Sequence, residues 1–319
     1  MAEGQRLVFM GTSGFARDIL VGLLNAGKNI CAVYTQPDKP AGRGMQTSPS
    51  PVKLVALEHN LPLYQPSNFS SEPSRAELAA LKPDFLVVAS YGLLLPQSVL
   101  DIPAIAPLNV HASLLPELRG AAPIQRAIMQ YWQPGAVTGV SLMRIVRELD
   151  AGPVYGTIEV PIKDQNAAKL TGALAKAGIE LILKYLPAIA AGSIEPVPQD
   201  NSGATYAHKL TKSDGRIDWH KSMAETDAHI RGVTPWPGAQ TTLRFNEKNV
   251  PVLIISGKQG EKATTSPGSI RLRKKGLDIA CNDGWYEVDS LRPVGRKTIS
   301  AADFANGLHM DCGIVGKAE

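Results

Sequence analysis

The feature that most narrows the fold is the run from Leu7 to Thr35. Leu7 to Met10 is a short apolar segment ending in Gly11-Thr12-Ser13-Gly14, after which Phe15, Ile19, Leu20, Leu23 and Leu24 recur at helical spacing. Asn29 to Thr35, carrying Ile30, Val33 and Tyr34, supplies a second apolar strand. Strand, tight turn, helix and strand make a βαβ unit, which commits the chain to a parallel sheet flanked by helices. The glycine turn could hold a phosphate at a helix N-terminus. It lacks the G-x-G-x-x-G pattern, however, and Gln36-Pro37-Asp38 is a poor match for a ribose-binding strand end, so a nicotinamide enzyme is disfavoured.

The pattern continues downstream. Val52 to His59 and Glu72 to Leu81 read as helices flanking an edge segment, Leu61 to Tyr64, which contains Pro62. Asp84 to Ser90 is a near-continuous apolar strand, and Leu108 to Val110 ends another. Thr138 to Arg144 and Val154 to Ile162 form a hairpin at the sheet edge, and a helix from Ala167 to about Leu186 is stopped by Pro187. These elements predict a Rossmann-like, mostly parallel α/β domain over residues 1–190. Residues 191–207, with Pro196, Pro198, Asn201, Ser202 and Gly203, read as a linker. In 208–319, short strand-like runs at Pro251 to Ser256, Gly268 to Arg273, Leu277 to Ala280 and Trp285 to Leu291 predict a small OB-like β-barrel. Trp236, in Thr234-Pro235-Trp236-Pro237-Gly238, is expected as a packing anchor of this second domain.

Chemistry concentrates at one strand end. Asn109 and His111 are two apart, so both side chains leave the strand on one face. An amide N–H and a protonated imidazole there suit an oxygen gaining negative charge in acyl transfer. Asp150, in the hairpin turn, is the best partner to fix His111. No serine or cysteine nucleophile is needed if the substrate brings its own amine. Taken singly, a strand-end histidine is more often structural and an aspartate beside Gly and Pro more often a turn former.

The segments Asn109-Val110-His111-Ala112-Ser113-Leu114-Leu115-Pro116 and Arg119-Gly120-Ala121-Ala122-Pro123-Ile124-Gln125 resemble the signature of folate-dependent formyltransferases. Ile217 to Trp219 and Thr234 to Gly238 extend the likeness to nearly the whole chain. The resemblance implies that Asn109, His111 and Asp150 are catalytic, with 10-formyltetrahydrofolate as formyl donor and no metal. It places Ser113, Leu114, Leu115, Pro116, Tyr91, Gly92 and Leu93 at the folate. Gln36 to Pro51, rich in proline and glycine, reads as a long exposed loop. It resembles the insertion with which the branch acting on methionyl initiator tRNA meets the acceptor stem, with Arg43 and Lys39 as tRNA contacts. The chain departs from the family pattern at Gly14, Ala112, Met45-Gln46-Thr47 and Ala151-Gly152-Pro153. The nearest alternatives are a folate-dependent formyltransferase or hydrolase with a small-molecule acceptor, and a non-catalytic RNA-binding protein.

Charge and cysteine usage bound the setting. Lys and Arg match Asp and Glu at 16 each before residue 208 and exceed them 17 to 13 afterwards, so the whole excess of +4 sits in the last third. There Arg271, Arg273, Lys274 and Lys275 would suit a polyanion such as RNA, or form a solvated turn. Cys31, Cys281 and Cys312 have no metal-type spacing and are expected to be buried or inert. No apolar run approaches a membrane span and Met1 to Met10 has no signal-peptide core, which predicts a cytoplasmic protein, expected to act as a monomer.

Overall fold

The structure, a computed structural model, describes residues 4–41, 46–245 and 248–319. The chain divides into two compact units. The first takes the described residues up to Pro123 with Val137–Pro161 and Thr171–His208; the second takes Ile124–Ala136, Ile162–Leu170 and Lys209–Glu319.

The first stretch runs β1 (Arg6–Gly11), α1 (Gly14–Asn25), β2 (Asn29–Tyr34), β3 (Lys39–Ala41), β4 (Gln46–Ser48), α2 (Pro51–Glu58), β5 (Leu63–Tyr64), α3 (Glu72–Ala80), β6 (Phe85–Ala89), α4 (Gln97–Leu100), β7 (Ala106–His111) and β8 (Arg119–Gly120). After α5 (Pro123–Gln130) come β9 (Val137–Arg144), β10 (Val154–Pro161), α6 (Ala167–Ala190) and β11 (Tyr206–Ala207). Seven strands form one sheet in the order β10-β9-β7-β6-β1-β2-β5. All its pairings are parallel except β7 with β9 and β9 with β10, so the hairpin closes one edge as the sequence predicts. Leu7 to Met10 and Phe85 to Leu86 are fully buried, as central parallel strands covered on both faces must be.

Helix α1 starts where Ser13 accepts the Ala16 N–H and buries Phe15, Ile19, Leu20 and Leu23. Gly11 is needed at the turn, because a Cβ there would lie 2.6 Å from Ala16 Cβ and 2.9 Å from Ala89 O. Helix α6 packs on β7, since a Cβ at Gly178 would sit 2.8 Å from Val110 Cγ1. That helix does not stop at Pro187 but runs through it. Leu186 and Ile189 are both buried, and packing them outweighs the one hydrogen bond that proline cannot donate. The segment expected to be a long exposed loop holds a two-stranded ladder, with Lys39 opposite Ser48 and Ala41 opposite Gln46. Beside it, Lys53 and Gln65 hydrogen-bond the Asp38 carboxyl and hold it below its ordinary range.

The second unit contains α7 (Met223–Val233), β12 (Ala239–Phe245), β13 (Lys248–Lys262), β14 (Ser269–Arg273), β15 (Gly276–Ala280), β16 (Gly284–Pro293), β17 (Ile299–Ser300), α8 (Ala301–Asn306) and β18 (Gly313–Ala318). Strands β13-β12-β18-β14-β15-β16 are hydrogen-bonded in that order, and β16 returns to pair with β13, closing a six-stranded antiparallel barrel. Ile254, Leu277, Ile279, Tyr286 and Leu291 fill it, with Met223, Ile230 and Val233 of α7 in the same core. Trp236 is half exposed and does not anchor the packing; Trp219 and Trp285 are buried, and Trp219 Nε1 donates to Thr241 Oγ1.

The basic cluster is resolved into two parts. Arg271 and Arg273 both bind the fully buried Asp278 carboxylate, and Arg271 lies 4.3 Å over the Trp285 ring. They serve the barrel, leaving Lys274 and Lys275 exposed at the β14–β15 turn. Burial raises the Cys281 thiol to about 11, while Cys312 is exposed.

The Thr211 hydroxyl and N–H, aided by Arg126, hold the Asp214 carboxyl down at about 2. A depressed carboxylate stabilises the fold above its unfolded value and loses that contribution as the pH falls through its folded one. Stability of the wild type should therefore drop from about pH 4 towards pH 2, and Asp214→Asn should flatten this part of the profile measured by denaturant titration.

Candidate active site

Strand β7 sets the geometry. Its side chains alternate, so Val110 meets α6 while Asn109 and His111 project from the opposite face. Register places Asn109 opposite Met143 of β9, and Met143 opposite Val154 of β10. The connection between β9 and β10 therefore returns to the level of Asn109, and Asp150 lies within it.

The three predicted residues come together. Asn109 Nδ2 donates to Asp150 Oδ1 at 3.4 Å, and His111 Nδ1 stands 3.7 Å from Asp150 Oδ2. The same Oδ2 accepts the Gly120 N–H at 2.8 Å. His111 Nε2 is 3.1 Å from Leu118 O, and since a carbonyl only accepts, Nε2 carries the hydrogen. A second proton would reside on Nδ1, facing the carboxylate. His111 is 6% and Asp150 13% exposed, so this pair is largely shielded from water. Asn109 is half-buried, and its second amide hydrogen has no partner among the described residues.

Asp150 takes a left-handed backbone, φ +50°. Aspartate tolerates this better than most residues, and the turn is fixed by side chains from far along the chain. Gln199 Nε2 donates to both Asp150 O and Gly152 O, at 2.8 and 2.7 Å. Arg119 donates to Gln199 Oε1 through Nε and Nη2 and to Asn201 Oδ1 through Nη2. Residues 197–207 are thus bonded into the first unit, of which they are part: Val197 pairs with Val154, Thr205 with Leu118 and Arg119, and Ala207 with Gly120. Sequence reasoning quoted Arg119 and Gly120 without a role and read Gln199 as part of a linker.

The folate candidates lie on two loops leaving the same ends of the parallel strands β6 and β7. Ser113 is buried, its hydroxyl bonded to Glu117 O, while Ser141 Oγ donates to Ser113 O and accepts the Leu115 N–H. Leu114 packs over Gly139, and Leu114, Leu115 and Pro116 are partly exposed. In the other loop Tyr91 is buried, and its carbonyl accepts from Thr12 Oγ1 and Gln36 Nε2. Gly92 is exposed and Leu93 half-buried. Of the tRNA candidates, Arg43 lies outside the described residues and Lys39 is placed in β3 by its backbone alone. Among the described residues no group of His, Cys, Asp and Glu could hold a metal ion, and no helix is long and apolar enough to cross a membrane.

Known proteins resemble this chain over nearly its whole length. Residues 5–186 match the family model described as formyl transferase, and 209–309 match the formyl transferase C-terminal domain. A methionyl-tRNA formyltransferase of Desulfovibrio desulfuricans is 49% identical over 98% of this chain and 96% of its own length. One from Methylococcus capsulatus is 44% identical over 94% of this chain and 96% of its own length. Among solved structures, HypX from Aquifex aeolicus in complex with tetrahydrofolic acid superposes with a TM-score of 0.62 at 18% identity, covering 95% of this chain and 47% of that one. An N-formyltransferase from Helicobacter canadensis in complex with folinic acid and dTDP-3-aminofucose gives a TM-score of 0.64 at 15% identity, over 91% of this chain and all of that one. These two likenesses speak for the fold.

Gly152 offers a direct check on the turn. A Cβ there would run into the Arg144 carbonyl oxygen. Gly152→Ala should destabilise the protein by about 1–3 kcal/mol, the usual cost of overpacking, seen as a lower midpoint in urea.

Proposed function

The chain belongs to the formyl transferase family, and from that premise we propose that the cluster of Asn109, His111 and Asp150 carries out formyl transfer. The enzyme moves the formyl group of 10-formyltetrahydrofolate to the α-amine of methionyl initiator tRNA. The observation that carries the reading is the convergence of an amide, an imidazole and a shielded carboxylate on one face of β7, with an amide hydrogen left over.

The amine nitrogen bonds to the formyl carbon, and the formyl oxygen takes up the electron pair. The unused N–H of Asn109 donates to that oxygen as its charge grows. His111 is committed to Leu118 through Nε2, so its contribution comes from Nδ1, on the Asp150 side. Asp150 receives the amine proton, directly or through a water, and passes it to the folate nitrogen as its bond to the formyl carbon breaks. Formylated methionyl-tRNA and tetrahydrofolate leave. Gly120 N–H and His111 hold the Asp150 carboxyl in place beforehand.

The folate is held in this reading by Ser113 to Pro116 and by Tyr91, Gly92 and Leu93. Because the Tyr91 carbonyl is already engaged, its loop contributes chiefly through the exposed backbone at Gly92 and the side chain of Leu93. Arg43 and Lys39 meet the tRNA, with the barrel of residues 208–319 as a second contact and the exposed Lys274 and Lys275 in place of the tied Arg271 and Arg273. The enzyme acts as a monomer in the cytoplasm, where initiator tRNA and folate are found together.

Loss of one oxyanion donor typically costs two to three orders of magnitude in turnover. Asn109→Ala and Asp150→Ala should each lower kcat for formylation of methionyl initiator tRNA by about a hundredfold or more with the fold intact by circular dichroism. A variant turning over at the wild-type rate would remove that residue from the mechanism.

A further inference from the structure

The Asp150 turn has few means of holding its own shape. It follows β9, contains a left-handed aspartate, and bends sharply enough that Gly152 abuts the Arg144 carbonyl. Two of its carbonyls, those of Asp150 and Gly152, accept from a single amide group, Gln199 Nε2, 47 and 49 residues further along the chain.

The orientation of that amide is forced by chemistry. Its nitrogen faces two carbonyl oxygens and its oxygen faces the Arg119 guanidinium, and the flipped arrangement would set oxygen against oxygen and N–H against N–H. Arg119 is 4% exposed, so its fork is locked in place and aims Gln199 in turn. The next residue, Gly120, donates its N–H to the Asp150 carboxylate. One short segment therefore fixes both ends of Asp150: its side chain through Gly120 and its backbone through Arg119 and Gln199. Glutamate at 199 could still accept from Arg119 but would turn an oxygen towards the two carbonyls. Methionine, of similar length, would offer neither donor nor acceptor.

We propose that Gln199, aimed by Arg119, is a positioning residue that holds the Asp150 carboxylate at the distance from Asn109 and His111 that proton transfer requires. This rests on the role given to Asp150 above. A residue acting in this way should change turnover and leave substrate binding alone, because it touches the turn and neither substrate.

The test uses the full-length enzyme with methionyl initiator tRNA and 10-formyltetrahydrofolate, comparing Gln199→Met, Gln199→Glu, Asp150→Asn and the double variant Gln199→Met/Asp150→Asn. Misplacing a reacting group by about an ångström can cost a hundredfold. Gln199→Met and Gln199→Glu should thus lower kcat by about ten- to a hundredfold with KM for both substrates within about twofold and Tm close to wild type. Because Gln199 acts through Asp150, the double variant should be no slower than Asp150→Asn alone. If Asp150→Asn is slow while both Gln199 variants turn over normally, the positioning role is wrong and the role of Asp150 stands. Losses that multiply in the double variant, or a raised KM at unchanged kcat, would also overturn it. Should Gln199→Met fold poorly, the Gln199→Glu arm decides alone, since glutamate keeps the shape and the Arg119 contact. Asp150→Asn at the wild-type rate would remove the foundation, and with it the proposal.

Discussion

The contact on which the site depends is the one between the Asp150 carboxylate and the three groups around it. Gly120 N–H, Asn109 Nδ2 and His111 Nδ1 all approach its two oxygens. A carboxyl this shielded needs hydrogen-bond partners, and a histidine whose Nε2 is already donating to a carbonyl presents its Nδ1 to it. The period of a β-strand does the rest. One residue of register shift in β7 would turn Asn109 and His111 towards α6 and bring Val110 under Asp150. Burial of Val110 against Gly178 therefore protects the chemistry as well as the core.

Around that contact the fold is arranged to present strand ends. Loops from β6 and β7 leave the sheet on the same side, and the antiparallel pair β9 and β10 closes the edge beside β7. The segment 197–207 of the same unit then ties down the turn and β8. The barrel solves a different problem. It closes on itself without an open edge between its six strands and buries Asp278 with two arginines to do so. Its positive excess is consequently smaller on the surface than the composition alone would give.

What the sequence made legible was governed by the range of the interactions. The βαβ start, the buried strand at 85–89, the hairpin and the triad of Asn109, His111 and Asp150 rest on local periodicity, turn residues and a recognisable motif. The closed barrel was foreseen from short strands and turns, but β12 and the start of the long β13 were not, although Ala239, Thr241, Leu243 and Phe245 alternate with Gln240, Thr242 and Arg244. Helix α7 was also missed, although Ser222 and Glu225 form a capping box that marks its start. Pro187 and the ladder at 39–48 show local rules giving way to packing and pairing. Gln199 could not be found at all: its partners are 47 to 80 residues away, and proline and glycine neighbours made the segment look like a tether. The arginines of β14 read as a basic surface for the same reason, since the aspartate that absorbs them is visible only in the folded barrel.

In the proposed function this site passes a formyl group to the amine of one particular tRNA. The most direct measurement offers methionyl initiator tRNA, methionyl elongator tRNA and small amines separately with 10-formyltetrahydrofolate, and follows formylated product together with tetrahydrofolate release. Rapid formylation of the initiator tRNA is expected, with one tetrahydrofolate released per product, and little reaction with the others. Folate turnover without tRNA, equal use of small amines, or tRNA binding with no transfer would contradict it.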